Sequence, residues 1–187
     1  MRIRSISRPV CGATLMAALL LSAPVHVFAH DRHVDDHGHD SAIGQPGKAA
    51  DVSRTIEVVM TDNHYSRNSI SVAKGETVRF RVVNKGSLVH EFDIGTAAMH
   101  ARHRKEMMVM VERGIIEADR IHHDRMAMSM KMPGGGMMTH DDPNSVLLEP
   151  GQSGEVIWKF STDARLEFAC NMPGHYESGM KGRINIR

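Results

Sequence analysis

Apolar side chains along this chain fall into two strand-like stretches, 52–96 and 145–187, separated by a segment with a different rhythm. Within both stretches they recur at every second position, the period of a half-buried β-strand. Thr55–Met60 predicts one strand and Ser69–Val72 a short second. Val78-Arg79-Phe80-Arg81-Val82 predicts a third, following a Lys74-Gly75 turn. Leu88, His90, Phe92 and Ile94 share a parity, and Val146–Leu148 precedes a Pro150-Gly151 turn. Val156, Trp158 and Phe160 share a face, as do Leu166, Phe168 and Cys170, and Arg183–Ile186 closes the chain. About eight short strands punctuated by turn residues predict an all-β fold, a Greek-key β-sandwich.

Residues 97–144 break the alternation. Ala97–Arg113 has helix-forming composition with Gly114 as a stop, and Ile115–Arg125 predicts a second helix. Pro133-Gly134-Gly135-Gly136 interrupts any regular structure. Downstream of residue 29, every aromatic residue lies in the strand-like parts and none in 97–144. The segment therefore reads as a partly helical, Met/His-rich insertion into a sandwich domain of residues 52–187. Met107, Met108 and Met110 with Val111 fit a helix face packing on the sandwich. Residues 30–51 are His/Asp-rich without an apolar period, the composition of a disordered tail.

Residues 1–29 have the pattern of an export signal. Arg2, Arg4 and Arg8 precede an apolar run over 15–25, and Val27-Phe28-Ala29 fits a small-residue cleavage site. The run is short for a membrane span, so cleavage after about Ala29 and no remaining membrane anchor are expected. The formal net charge is +1, and losing three arginines leaves the mature chain slightly acidic. Nucleic-acid binding, which favours a basic surface, is not expected. Cys11 leaves with the signal, so Cys170 is the lone mature cysteine. An unpaired thiol in an exported protein is exposed to oxidation unless it is buried and inert or occupied by a metal.

The surroundings of Cys170 favour the metal. Cys170-Asn171-Met172-Pro173-Gly174-His175 continues to Met180, placing a thiolate, an imidazole and a thioether on one short loop. His90, inward by parity with Phe92 and Ile94, is the fourth candidate. Cys, two His and a Met suit a mononuclear copper site better than any other common metal. Met172 lies between ligands and reads as a hydrophobic cap. His64, beside Tyr65, reads as a surface-turn residue.

On these residues the chain resembles the cupredoxins, the family of plastocyanin, azurin, rusticyanin and auracyanin. The family has an upstream His, then Cys, His and Met on its final loop; the spacing here is Cys-x4-His-x4-Met, with Phe168-x-Cys170 and Pro173-Gly174-His175 also matching. The resemblance covers about 52–96 and 145–187. It implies His90, Cys170 and His175 as equatorial ligands and Met180 as the axial ligand of a type 1 copper centre. Glu91 departs from the family, where Asn or Ser often follows the first His.

Extra donors lie outside the loop. His30, His33, His37 and His39 mark the tail, and Met126, Met128, Met130 and Met132 alternate in the insertion. Thioethers favour copper(I) and imidazoles accept copper(II), so both regions are candidates for additional, weaker copper. A His-rich tail and a Met/His-rich insertion on such a domain resemble the periplasmic copper-resistance cupredoxins of the CopI type. That resemblance implies copper tolerance, with copper ions and a periplasmic redox or copper-handling protein as partners. A soluble electron carrier like rusticyanin or auracyanin is the alternative. In copper oxidases a His neighbours the site Cys; here the neighbours are Ala169 and Asn171, so a binding protein rather than an enzyme is expected, with weak cuprous-ion oxidation left open.

Overall fold

A computed structural model describes residues 42–126, 130–131, 137–138 and 142–187. Where the sequence alternates, strands form: β1 (Gln45–Pro46), β2 (Arg54–Thr61), β3 (His64–Tyr65), β4 (Ser69–Val72), β5 (Thr77–Asn84) and β6 (His90–Gly95). Helices α1 (Ala97–Glu112) and α2 (His123–Met126) follow, then β7 (Met130–Lys131), β8 (Met137–Met138), β9 (Ser145–Leu148), β10 (Ser153–Lys159), β11 (Leu166–Ala169) and β12 (Lys181–Ile186). One sheet has the order β1-β10-β5-β2-β3 and the other β4-β12-β11-β6-β9, while β7 and β8 pair separately. β2 with β5 and β4 with β12 are parallel pairs, and the remaining neighbours are antiparallel. The eight expected strands are all present, within an all-β sandwich.

The apolar parities meet between the sheets. Phe80 of β5 lies 5.2 Å from Phe92 of β6 between ring centroids, and Phe92 stacks on Phe168 of β11 at 5.6 Å. Tyr65 meets Phe168 edge-on at 5.1 Å, and its hydroxyl donates to Glu91 O at 2.5 Å. Tyr65 is held by β3, a two-residue strand too short to show a period; a tight turn at Asn63, with φ of 60°, folds it onto β2. His64 is exposed beside this turn.

Three features differ from the sequence reading. The first is the boundary of the tail expected over 30–51. Ile43 is buried in the core, its carbonyl accepts from Trp158 Nε1 at 3.0 Å, and β1 adds to the edge strand β10. A single apolar residue and a two-residue strand carry no readable period, so composition alone assigns them to the tail. Ile43→Ala should cost about 2–5 kcal/mol of stability, as for other buried Ile truncations. A denaturant midpoint equal to the parent's would show that the segment is dispensable.

The second concerns the helix expected over Ile115–Arg125. Thr96 caps α1 by accepting from Met99 N, and Gly114, with φ of 62°, ends it as expected. Beyond it the chain makes a turn, closed by Glu117 N donating to Arg120 O, with Ile116 and Ile121 bridged across it. Only His123–Met126 is helical. Burying the β-branched Ile115, Ile116 and Ile121 together outweighs helix propensity here.

The third is Met108, expected on the helix face that packs on the sandwich. All six residues of β6 are buried, because α1 packs over the face turned away from the core. Met107 and Met110 of α1 reach the core, Val111 packs partly against it, and Met108 is exposed. The insertion is thus partly structural.

Candidate metal centre

Strand β11 ends at Ala169 and delivers Cys170 into the sandwich interior, where it is fully buried. The chain then turns tightly, with His175 N donating to Met172 O and Ser178 N to Gly174 O. Gly174 and Gly179, at φ of 82° and 100°, adopt conformations that favour glycine. Met180 N donates to His175 O, and Cys170 N donates to Met180 O at 3.1 Å, closing the loop. Met180 returns beside Cys170 and is fully buried. Strand β6 runs antiparallel to β11, so its first residue, His90, lies near Cys170.

Three of the four predicted ligands converge. Cys170 Sγ lies 3.3 Å from His175 Nδ1 and 3.9 Å from His90 Nδ1. These donor atoms all lie within 4.8 Å of one another. The Glu91 backbone N–H donates to the sulfur at 3.3 Å. Burial pushes the Cys170 thiol up to about 12 and holds both imidazoles below their ordinary value. These are desolvated donors aimed at one point, which a soft or borderline cation would compensate. The residues therefore fit a thiolate-bound metal.

Asp62, in the β2–β3 turn, is a contact that the sequence does not reveal. Its Oδ1 lies 3.2 Å from His90 Nε2, on the far side of the ring from the sulfur. Donors from Ser87 Oγ, Ser87 N and Leu88 N fix the carboxylate, and with His90 they lower its pKa to about 2. An imidazole that keeps its Nε2 proton and donates it in a hydrogen bond to Asp62 presents the Nδ1 lone pair to a metal.

Glu91, flagged by sequence, is fully buried. Its Oε2 accepts from Asn171 Nδ2 at 2.8 Å and from Asn171 N at 3.3 Å, tying β6 to the residue after Cys170. Its Oε1 lies 3.0 Å from His103 Nε2 of α1. Burial opposes the charged His103 ring, but the Glu91 and Glu106 carboxylates outweigh it and take the pKa up to about 11. No local motif announces this helix–strand contact.

Of the remaining candidates, Met126 ends α2 and packs partly against the core. Met130 lies in β7, paired with Met138 of β8. Met128, Met132, His30, His33, His37, His39 and the export segment lie outside the described residues. Met172 is buried and lines an apolar pocket with Leu88, Val111, Pro173 and His175.

The cupredoxin-like domain family model matches residues 14–122, ending before the Cys170 loop. Relatives named copper-resistant cuproprotein CopI cover most of the chain. The one from Pseudomonas aeruginosa is 49% identical over 80% of this chain and 84% of its own. That from Rubrivivax gelatinosus is 35% identical over 92% and 93%. That from Vibrio cholerae is 28% identical over 92% and 98%. Among solved structures, auracyanin B aligns with a TM-score of 0.54 at 20% identity, over 77% of this chain and 96% of its own. Reduced auracyanin from Roseiflexus castenholzii aligns at 0.50 and 20%, over 73% and 98%. At such identity these structures show the fold alone.

Proposed function

Because the chain belongs to the cupredoxin-like family, and within it to the CopI type, we propose that it is an exported copper-binding protein of copper tolerance. One copper ion is held at a mononuclear, type 1 thiolate site by His90, Cys170, His175 and Met180. The observation that carries this reading is Cys170 Sγ with the Nδ1 atoms of His175 and His90 at 3.3 and 3.9 Å. The name shared by the relatives supports the tolerance role. The basic and apolar pattern of residues 1–29 supports export to the periplasm.

Bound copper supplies a one-electron couple between copper(II) and copper(I). Cys170 gives up its proton and provides the thiolate, steadied by the Glu91 N–H. Asp62 orients His90, and the closed loop holds His175 and Met180. A loop pinned by its own backbone hydrogen bonds offers similar geometry to both oxidation states, whichever the cell presents. The role is binding rather than turnover, since Ala169 and Asn171 provide no His relay beside Cys170.

Copper titration of the mature chain, followed by visible absorption, tests the site. One equivalent should produce a thiolate-to-copper charge-transfer band; no band would overturn the proposal. The titration should also depend on pH. With the thiol at about 12 and both imidazoles neutral, one proton leaves per copper bound at neutral pH. Apparent affinity should then rise about tenfold per pH unit above neutrality, and fall more steeply in acid as the imidazoles gain protons. A flat profile between pH 7 and 9 would contradict a buried, protonated apo thiol.

A second reading, a soluble electron carrier, is favoured by the apolar pocket beside His175, where a redox partner could dock. Replacing Met126, Met128, Met130 and Met132 by Leu separates the two. A tolerance protein that gathers extra copper there should lose bound copper beyond the first equivalent. A carrier should be unaffected.

A further inference from the structure

We propose that Glu91, Asp93, His100 and His103 form a second metal site beneath α1, for a divalent ion of the zinc or copper(II) class. Glu91 and Asp93 lie on the face of β6 opposite His90 and Phe92, and α1 covers that face with His100 and His103. Donor atoms of Glu91, Asp93 and His103 all lie within 4.8 Å of one another. His100 Nδ1 lies 3.3 Å from Asp93 Oδ2. Two imidazoles with two carboxylates form a borderline donor set without sulfur, suited to zinc or copper(II) rather than copper(I).

The outer contacts have the form such a site needs. His103 turns Nε2 towards Glu91, while its Nδ1 lies 2.9 Å from Glu106 Oε2. Glu91 turns Oε1 towards His103, and its Oε2 is held by Asn171. Asp93 Oδ1 accepts from Asn144 Nδ2 at 2.8 Å, and its Oδ2 accepts from Asn171 Nδ2 at 2.9 Å. His103 and Glu91 are thus each oriented by a partner on the other polar atom, as around bound metals, and Asp93 is held by an amide on each oxygen.

His100 adds to this cluster through Asp93. It is fully buried, its Nδ1 reaches Asp93 Oδ2 only at 3.3 Å, and neither ring nitrogen makes a well-formed hydrogen bond. A buried imidazole whose contact with a carboxylate falls short of a hydrogen bond is costly, and ligation through Nδ1 would satisfy it. A divalent ion would also offset two carboxylates removed from water, taking the place of the proton that His103 carries without it. His103 keeps 14% of its side-chain surface exposed, giving the site an edge towards solvent. None of this rests on the copper reading of Cys170, although the Glu91 N–H bonds to that sulfur.

Anomalous diffraction at the zinc edge, from crystals of the mature protein grown with zinc, tests the site directly. A peak bounded by Glu91, Asp93, His100 and His103 is expected. Peaks confined to the Cys170 cluster or elsewhere would overturn the proposal and leave the copper reading untouched. By equilibrium dialysis, the His100→Gln, His103→Gln double variant should bind one zinc equivalent fewer than the parent. Unchanged stoichiometry in a variant with parental circular dichroism would also overturn it, and if the variant fails to fold, diffraction from the parent decides.

Discussion

Cys170→Ala should abolish the charge-transfer band, since that absorption requires a thiolate on copper. The remaining His90, His175 and Met180 donors can still bind copper, but without the anionic ligand. Losing an outer contact of a metal site typically costs about 10–100-fold in affinity, and losing the thiolate itself should exceed that. The fold should change little, because sulfur to hydrogen at a small buried site costs about 1 kcal/mol. Copper titration checks the first expectation, and thermal unfolding of the metal-free protein checks the second. Expressed in a strain lacking the gene, the variant should fail to restore growth on copper. Full restoration would place the tolerance function outside this site, in the tail or insertion.

Gly182→Val should unfold the protein more severely than any surface change. Gly182 of β12 lies opposite Phe168 of β11. A Cβ there would fall within 2.7 Å of three atoms of the Phe168 ring. That ring cannot yield, because it is fully buried between Phe92 and Tyr65. Overpacking of a core costs about 1–3 kcal/mol, and two more methyls at this position should bring the loss to the top of that range or above. Phe168 precedes Cys170 by two residues and Gly182 follows Met180 by two, so the copper loop should be disturbed with the sheet. Urea unfolding with the visible band as a second probe tests both effects. A loss below about 0.5 kcal/mol, the scale of an ordinary surface substitution, would mean that the ring moves freely.

The ligand loop was legible because its chemistry is local. Cys170, His175 and Met180 lie close in sequence, and their donor types alone suggest copper. His90 was legible through parity, since alternation put it on the inward face with Phe92 and Ile94. The same parity sets Glu91 and Asp93 on the opposite face and says no more about them. Alternation identifies the face opposite the core but not what lies on it, and α1 covers this one. The insertion is consequently not a removable appendage. Deleting 98–144 would bare two carboxylates and strip Met107 and Met110 from the core. The Met→Leu replacements keep those contacts and avoid the difficulty.

By itself the sequence determined the eight longer strands, the first helix with its Gly114 stop, and the copper-like donor set. Each of these depends on a period or spacing within a few residues. Only the tertiary structure decided that Asp62 meets His90, that Ile43 belongs to the core, and that His100 and His103 close over Glu91 and Asp93. Those contacts join segments whose own patterns say nothing of one another. They form because sheet pairing and the burial of α1 bring the segments together, and polar side chains shut away from water must then find partners among whatever else is buried there.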